Sequence, residues 1–216
     1  MINITYMYFY YTQNGDIMQV ERREFMIIGI CGKSGSGKST IARAITDTNP
    51  KAIHCDIDKI GHQTLEIKEV QEEAIKCFGQ RIMVDGKINR KRLGELVFSS
   101  RERMKQLSDI TWKYMQVTID YLIRKNEDNI IILDWILLSN TRYFDMCDMK
   151  VLVDVPYEVR MRRTLERDGI TSEEFALRER ASIEYDHNRF DMVVSNDDVN
   201  EIRKLVKKYD KSLISR

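Results

Sequence analysis

The sequence predicts an α/β fold of three layers in which five parallel strands lie between helices, and three observations predict it. From Met26 onward, short apolar runs alternate with longer helical stretches, the pattern of strands that cross over through helices into a parallel sheet. Most of these runs are continuous and β-branched, as strands buried on both faces are. A glycine-rich turn carrying Gly32, Gly35 and Gly37 separates the first run from the first helical stretch.

In chain order, the strands are read at 26–30, 52–55, 129–133, 150–155 and 192–195. The segment 57–125 shows helical spacing at Val70, Ala74, Ile75 and Phe78, and again at Met115, Ile119, Leu122 and Ile123. One crossover helix does not need so many residues, so an inserted helical subdomain is expected there. A second insertion, 157–188, is strongly charged and predominantly helical, and Val199, Ile202, Leu205, Val206 and Tyr209 predict a packing helix over 199–213. With no repeat, no low-complexity tract and two prolines, 26–216 reads as a single domain. Residues 1–25 are rich in tyrosine and lack the basic and aliphatic regions of a signal peptide. They read either as an extra hairpin turning at Asn14-Gly15 or as translated sequence upstream of a start at Met18 or Met26.

Composition narrows the function classes. Thirty-five Lys plus Arg against 34 Asp plus Glu leave a net charge of +1, so no global field draws nucleic acid or an anionic membrane. No apolar run approaches the roughly 20 residues needed to cross a bilayer. Cys31, Cys55, Cys77 and Cys147 form no C-x-x-C pair and suit a reducing, cytoplasmic compartment, and His54, His62 and His187 do not cluster with them. Trp112 and Trp135 read as core or pocket packing, since a base-stacking platform needs a basic groove beside it.

The motif that carries chemistry is Gly32-Lys33-Ser34-Gly35-Ser36-Gly37-Lys38-Ser39, which fits G-x-x-x-x-G-K-[ST] between a strand and a helix. Its glycines let successive backbone N–H groups turn inward, and the helix N-terminus adds positive potential, so this P-loop cradles a polyphosphate. Lys38 is placed to reach the β- and γ-phosphates, and Ser39 to ligate Mg²⁺. Asp56 and Asp58 follow the second strand, at the edge where open α/β sheets bind ligands. Asp56 can take the proton of an acceptor hydroxyl; Asp58 can do so instead, or support Mg²⁺ through water, and either can simply cap the next helix. Asp134 ends Ile130-Ile131-Ile132-Leu133, the setting of an acid that supports Mg²⁺. Arg160, Arg163 and Arg167 share one helix face, with Arg178 and Arg180 further on, and guanidinium forks match phosphate oxygens. Glu158, Glu166, Glu173, Glu174 and Glu179 are at hand to pair with them.

The chain resembles the dephospho-CoA kinase family over about 26–196, through IIGICGKSGSGKST, DIDKIGH, FGQRI, DGKINRKRLGELVF, IIILDWILL, RTLERDGIT and DMVVSND. The resemblance implies a P-loop core of five parallel strands, a helical domain that binds the CoA precursor, an arginine-bearing lid over ATP, and phosphorylation of the ribose 3′-hydroxyl of dephospho-CoA. It implies Asp56 as base, Gly32 to Ser39 with Thr40 as the ATP-binding loop, and Arg163 with Arg167 as catalytic lid residues. Acceptor contacts would fall at Asp58, His62 and Arg90, and Asn196 would lie near adenine. The chain departs from the family where Trp112-Lys113 stands in place of His-Pro, where Asp134-Trp135-Ile136-Leu137-Leu138 lacks a proline, and where Glu184 follows Arg180 in place of glutamine. A kinase of another small hydroxyl compound, such as a nucleoside, and a nucleotide-dependent switch remain the alternatives, the second weakened by the lack of an N-K-x-D guanine-reading motif.

Overall fold

The computed structural model describes residues 9–11, 17–19, 26–98 and 100–195. Strands β1 (Phe9–Tyr11) and β2 (Ile17–Gln19) pair antiparallel with Tyr10 opposite Met18, and the expected turn at Asn14-Gly15 lies outside the described residues. The helix expected over 199–213, and Asn196, lie outside the described residues.

β3 (Met26–Cys31) runs into the glycine-rich loop, which opens directly into α1 (Lys38–Thr46). β4 (Ala52–Asp56) is followed at once by α2 (Ile57–Thr64) and then α3 (Lys68–Phe78). A two-residue hairpin, β5 (Met83–Val84) with β6 (Lys87–Ile88), interrupts the helical insertion. Asp85 and Gly86 adopt φ values of 49° and 75° at its tip. Asp-Gly is a strong signal for such a turn, and the helical reading of 57–125 passed over it. Two more helices complete the insertion, α4 (Arg90–Val97) and the 25-residue α5 (Arg101–Lys125). β7 (Ile130–Asp134), the short α6 (Arg142–Asp145) and β8 (Met149–Val153) lead to α7 (Tyr157–Asp168) and α8 (Ser172–Arg180), and β9 (Met192–Val194) follows. α7 stops where Gly169 takes the left-handed conformation, and α8 starts at a capping box between Thr171 and Glu174.

The five strands expected from the sequence form one parallel sheet in the order β4-β7-β3-β8-β9. Side chains of β3 alternate between its faces. Met26, Ile28 and Ile30 join Ile41, Ala42 and Ile45 of α1 in one core. Ile27 and Cys31 join Ile57 and Ile60 of α2 and Met115, Ile119 and Ile123 of α5 in the other. Helices therefore cover both faces, which is why β3 and β7 are buried at every position. A third cluster, including Val70, Ala74, Phe78, Leu93 and Val97, holds α3 and α4 against Ile110 of α5. One long helix thus serves both the sheet and the insertion.

The loop after β3 is packed tightly against α7. Gly35 sits at φ 78°, and a Cβ there would collide with the carbonyl oxygen of Arg160 and come within 2.6 Å of Thr164 Oγ1. Gly35→Ala therefore combines left-handed strain with a backbone clash, and it is expected to cost at least about 2 kcal/mol in urea denaturation.

Candidate active site

Strand order gathers the site. β7 pairs with β3 on one side and β4 on the other, so Ile30, Asp134 and Asp56 stand in one row at the carboxyl edge of the sheet. The glycine-rich loop continues from this edge. Gly32, Gly35 and Gly37 all have positive φ, the backbone freedom that an anion-cradling loop needs. Lys38 is 8% exposed, Ser36 is fully buried, and Ser39 and Thr40 follow Lys38 in the first turn of α1. Ser36 Oγ, Thr164 Oγ1 and Arg163 Nη1 are buried without a hydrogen-bond partner. Buried polar atoms are normally satisfied, and three such atoms on the loop and the helix behind it fit a site whose ligand is phosphate.

The loop is braced from the second insertion. Arg160, 6% exposed, gives both terminal nitrogens to Glu179 at 2.8 Å and its Nε to the Val155 carbonyl at 2.9 Å. Lys33 Nζ lies 3.1 Å from Glu179 Oε1 and 2.7 Å from Glu184 Oε1. The acid that stands in place of the family's glutamine thus faces a lysine of the loop. Tyr185 accepts from Gly32 N–H at 3.1 Å and donates to the Ile136 carbonyl at 2.8 Å. Glu179, Glu184 and Tyr185 lie about 150 residues from the loop they hold, and no local pattern announces the contact.

The expected arginine face divides in three. Arg160 is committed to Glu179. Arg163 keeps an unpartnered Nη1. Arg167 donates to Asp168 at 2.7 and 3.1 Å, sharing that carboxylate with Arg178, and it also feels the charge of Asp58.

Asp56, expected as the base, and Asp58, its alternative and expected acceptor contact, take different places in the structure. Asp56 is the N-cap of α2 and accepts Lys59 N–H at 2.9 Å. Asp58, two residues on in the first turn of α2, lines a cavity of about 540 Å³ together with His62, Leu107, Thr111, Trp112 and Trp135. It is open to the cavity and otherwise crowded by protein, and this burial pushes its carboxyl up to about 6. The charge of Lys38 and the Trp135 indole N–H pull the other way, while Asp134 and Asp56 add to the rise. Trp112 and Trp135 stack with ring centroids 5.5 Å apart and planes 16° from parallel. On the same cavity, His62 Nδ1 meets Arg90 Nη1 at 3.0 Å. A guanidinium only donates, so Nδ1 is the unprotonated nitrogen, and burial followed by the Arg90 charge lowers the His62 pKa.

Asp134 is 2% exposed; its Oδ2 accepts from Ser39 Oγ at 2.6 Å and lies 3.1 Å from His54 Nε2. A hydroxyl and a carboxylate at the end of a phosphate loop are the hard oxygen donors that Mg²⁺ takes. Among the described residues no group of three His, Cys, Asp or Glu side chains could hold a metal by itself.

A family model described as dephospho-CoA kinase matches residues 26–201. Dephospho-CoA kinase of Fusobacterium nucleatum is 34% identical over 189 residues, 86% of this chain and 96% of that protein. The enzyme of Aquifex aeolicus is 32% identical over 187 residues, 84% of this chain and 94% of that protein. A crystal structure of TT1252 from Thermus thermophilus superposes with a TM-score of 0.71 at 29% identity, over 85% of this chain and 97% of that one.

Glu179 neutralises two cations at the loop. Glu179→Gln leaves the nearly buried Arg160 without its counter-charge, and unfolding in urea is expected to show a loss of about 3 kcal/mol. Substitution of the exposed Glu184 is expected to fall within about 1 kcal/mol of wild type.

Proposed function

This chain belongs to the dephospho-CoA kinase family and phosphorylates dephospho-CoA to CoA with ATP, and on that premise we propose that Asp58 receives the proton of the ribose 3′-hydroxyl as it attacks the γ-phosphate. One observation carries this reading: Asp58 faces the cavity on one side and feels the charge of the loop's Lys38 on the other. A base must lie within reach of both the acceptor and the transferring group. Asp56 supports Asp58 indirectly, by capping the helix that carries it.

The reaction needs little covalent help from the protein, so its residues work by position and charge. In this reading, the N–H groups of Gly32 to Ser39 and Thr40 hold the polyphosphate, and Lys38 bridges the β- and γ-phosphates. Arg163, with its free nitrogen, and Arg167 meet the charge that develops on the transferring group. Ser39 and Asp134, which bond each other at 2.6 Å, would hold Mg²⁺, Asp134 through water. When bound, the ion offsets the negative charge shared by the β- and γ-phosphates. His62, held by Arg90, and the stacked Trp112 and Trp135 shape the acceptor side of the cavity. Residues 57–125 would form the acceptor-binding subdomain, and 157–188 the lid that excludes water. A cytoplasmic setting accords with the four free cysteines, and among the described residues no helix is long and apolar enough to cross a membrane.

Release of ADP from ATP and Mg²⁺ should be stimulated by dephospho-CoA and give a product heavier by one phosphoryl group; Lys38→Ala should abolish it. No stimulation with ATP still bound would point to another acceptor. Asp58→Asn should lower kcat by at least about a hundredfold, whereas Asp56→Asn, whose side chain can still cap, should keep most of it. In wild type, kcat/KM should fall about tenfold per pH unit below about pH 6, as Asp58 takes up its proton. The same shift has a stability sign. A carboxyl whose pKa rises on folding weakens the fold where it is ionised, above about pH 6, and ceases to do so towards its unfolded value of 3.8. Asp58→Asn should therefore raise the melting temperature at pH 8, with the gain shrinking below pH 6.

A further inference from the structure

Among the described residues, Asp134 is the one carboxylate in the buried set. An ionised carboxylate removed from water needs donors, and Asp134 Oδ2 has two on different elements, Ser39 Oγ at 2.6 Å and His54 Nε2 at 3.1 Å. A carboxylate only accepts, so Nε2 is the protonated nitrogen of His54. Sheet geometry fixes this pairing. His54 stands opposite Ile132 in the β4–β7 register, and Asp134, two residues further along β7, projects from the same face. The two side chains are therefore diagonal neighbours, within reach of a long side chain. The His54 side chain is only 15% exposed, so its ring has little freedom to leave.

We infer that His54 is a positioning residue for the metal end of this site: by sharing Asp134 Oδ2 with Ser39, it fixes the rotation of the carboxylate that serves the Mg²⁺ shell. The inference rests on the reading of Asp134 and Ser39 as the Mg²⁺ end. Ser39 alone gives the carboxylate one hydrogen bond, which leaves its rotation open. His54 comes from the neighbouring strand β4, so its bond to Asp134 does not run through the phosphate loop. Partners of this kind, one shell out from a metal, typically account for about 10- to 100-fold in metal affinity or activity.

The test uses full-length protein and separates metal from nucleotide. Mn²⁺ binding in the presence of ADP is followed by electron paramagnetic resonance, the Mg²⁺ dependence of turnover is titrated, and ATP binding is measured calorimetrically in EDTA. His54→Leu is expected to weaken Mn²⁺ binding and raise half-saturating Mg²⁺ by about tenfold or more, with ATP binding in EDTA unchanged. His54→Gln, whose amide can donate to the same oxygen, should recover most of the loss. If His54→Leu does not fold, His54→Asn, too short to reach Asp134, takes its place. Mn²⁺ binding equal to wild type, or a glutamine variant no better than the leucine one, would overturn the inference, as would an equal loss of metal-free ATP binding. Asp134→Asn tells the two levels apart. If it weakens Mn²⁺ binding while His54→Leu does not, only the role of His54 falls; if it leaves Mn²⁺ binding intact, the Mg²⁺ reading falls with it.

Discussion

Parallel pairing of β7 between β3 and β4 holds Ile30, Asp134 and Asp56 in one row, and the chemistry of the site depends on that row. It brings the end of the glycine-rich loop, the acid that bonds Ser39 and the start of α2 to one edge of the sheet. Because helices bury both faces, the strands cannot slip without moving apolar side chains out of their cores. The geometry of a polar site is thus fixed by the packing of an apolar sheet.

A second constraint acts from above the loop. Glycine at 35 lets the loop approach the Arg160 carbonyl, and Arg160, Glu179 and Lys33 then form one connected set of charges. Glu179 lies between two cations, which lowers its pKa chiefly through Arg160. The loop is therefore held by charge-assisted bonds before any phosphate arrives, as preorganised electrostatic catalysis requires. Glu184 also finds its place here. A carboxylate beside bound phosphate would be repelled, and this one is turned to the ammonium of Lys33.

One departure from the family pattern, Trp112, stands on the wall of the cavity. Trp112 stacks on Trp135, with Tyr143 edge-on to Trp112 at 6.1 Å. Both tryptophans line the cavity that holds Asp58, so Trp112, one of the substituted positions, forms an aromatic wall with Trp135. Aromatic stacking is worth about 1 kcal/mol beyond burial alone, which stiffens that wall.

Much of this was legible in the chain itself. Apolar runs fixed five strands because a strand buried on both faces has to be apolar throughout, and the G-x-x-x-x-G-K-S spacing marked the phosphate loop because only glycines allow its backbone. The Asp85-Gly86 turn was legible too, through its dipeptide. What the chain could not reveal is strand order, and with it every contact made across that order: Ser39 with Asp134, His54 with Asp134, and Lys33 with Glu179. Asp56 and Asp58 both follow the second strand in the sequence, and only the helix that begins between them makes one a cap and brings the other to the cavity. Local spacing determined which groups are chemically able, whereas long-range packing decided which of them meet, because contacts between residues 80 to 150 positions apart follow from how the sheet and its helices bury apolar surface.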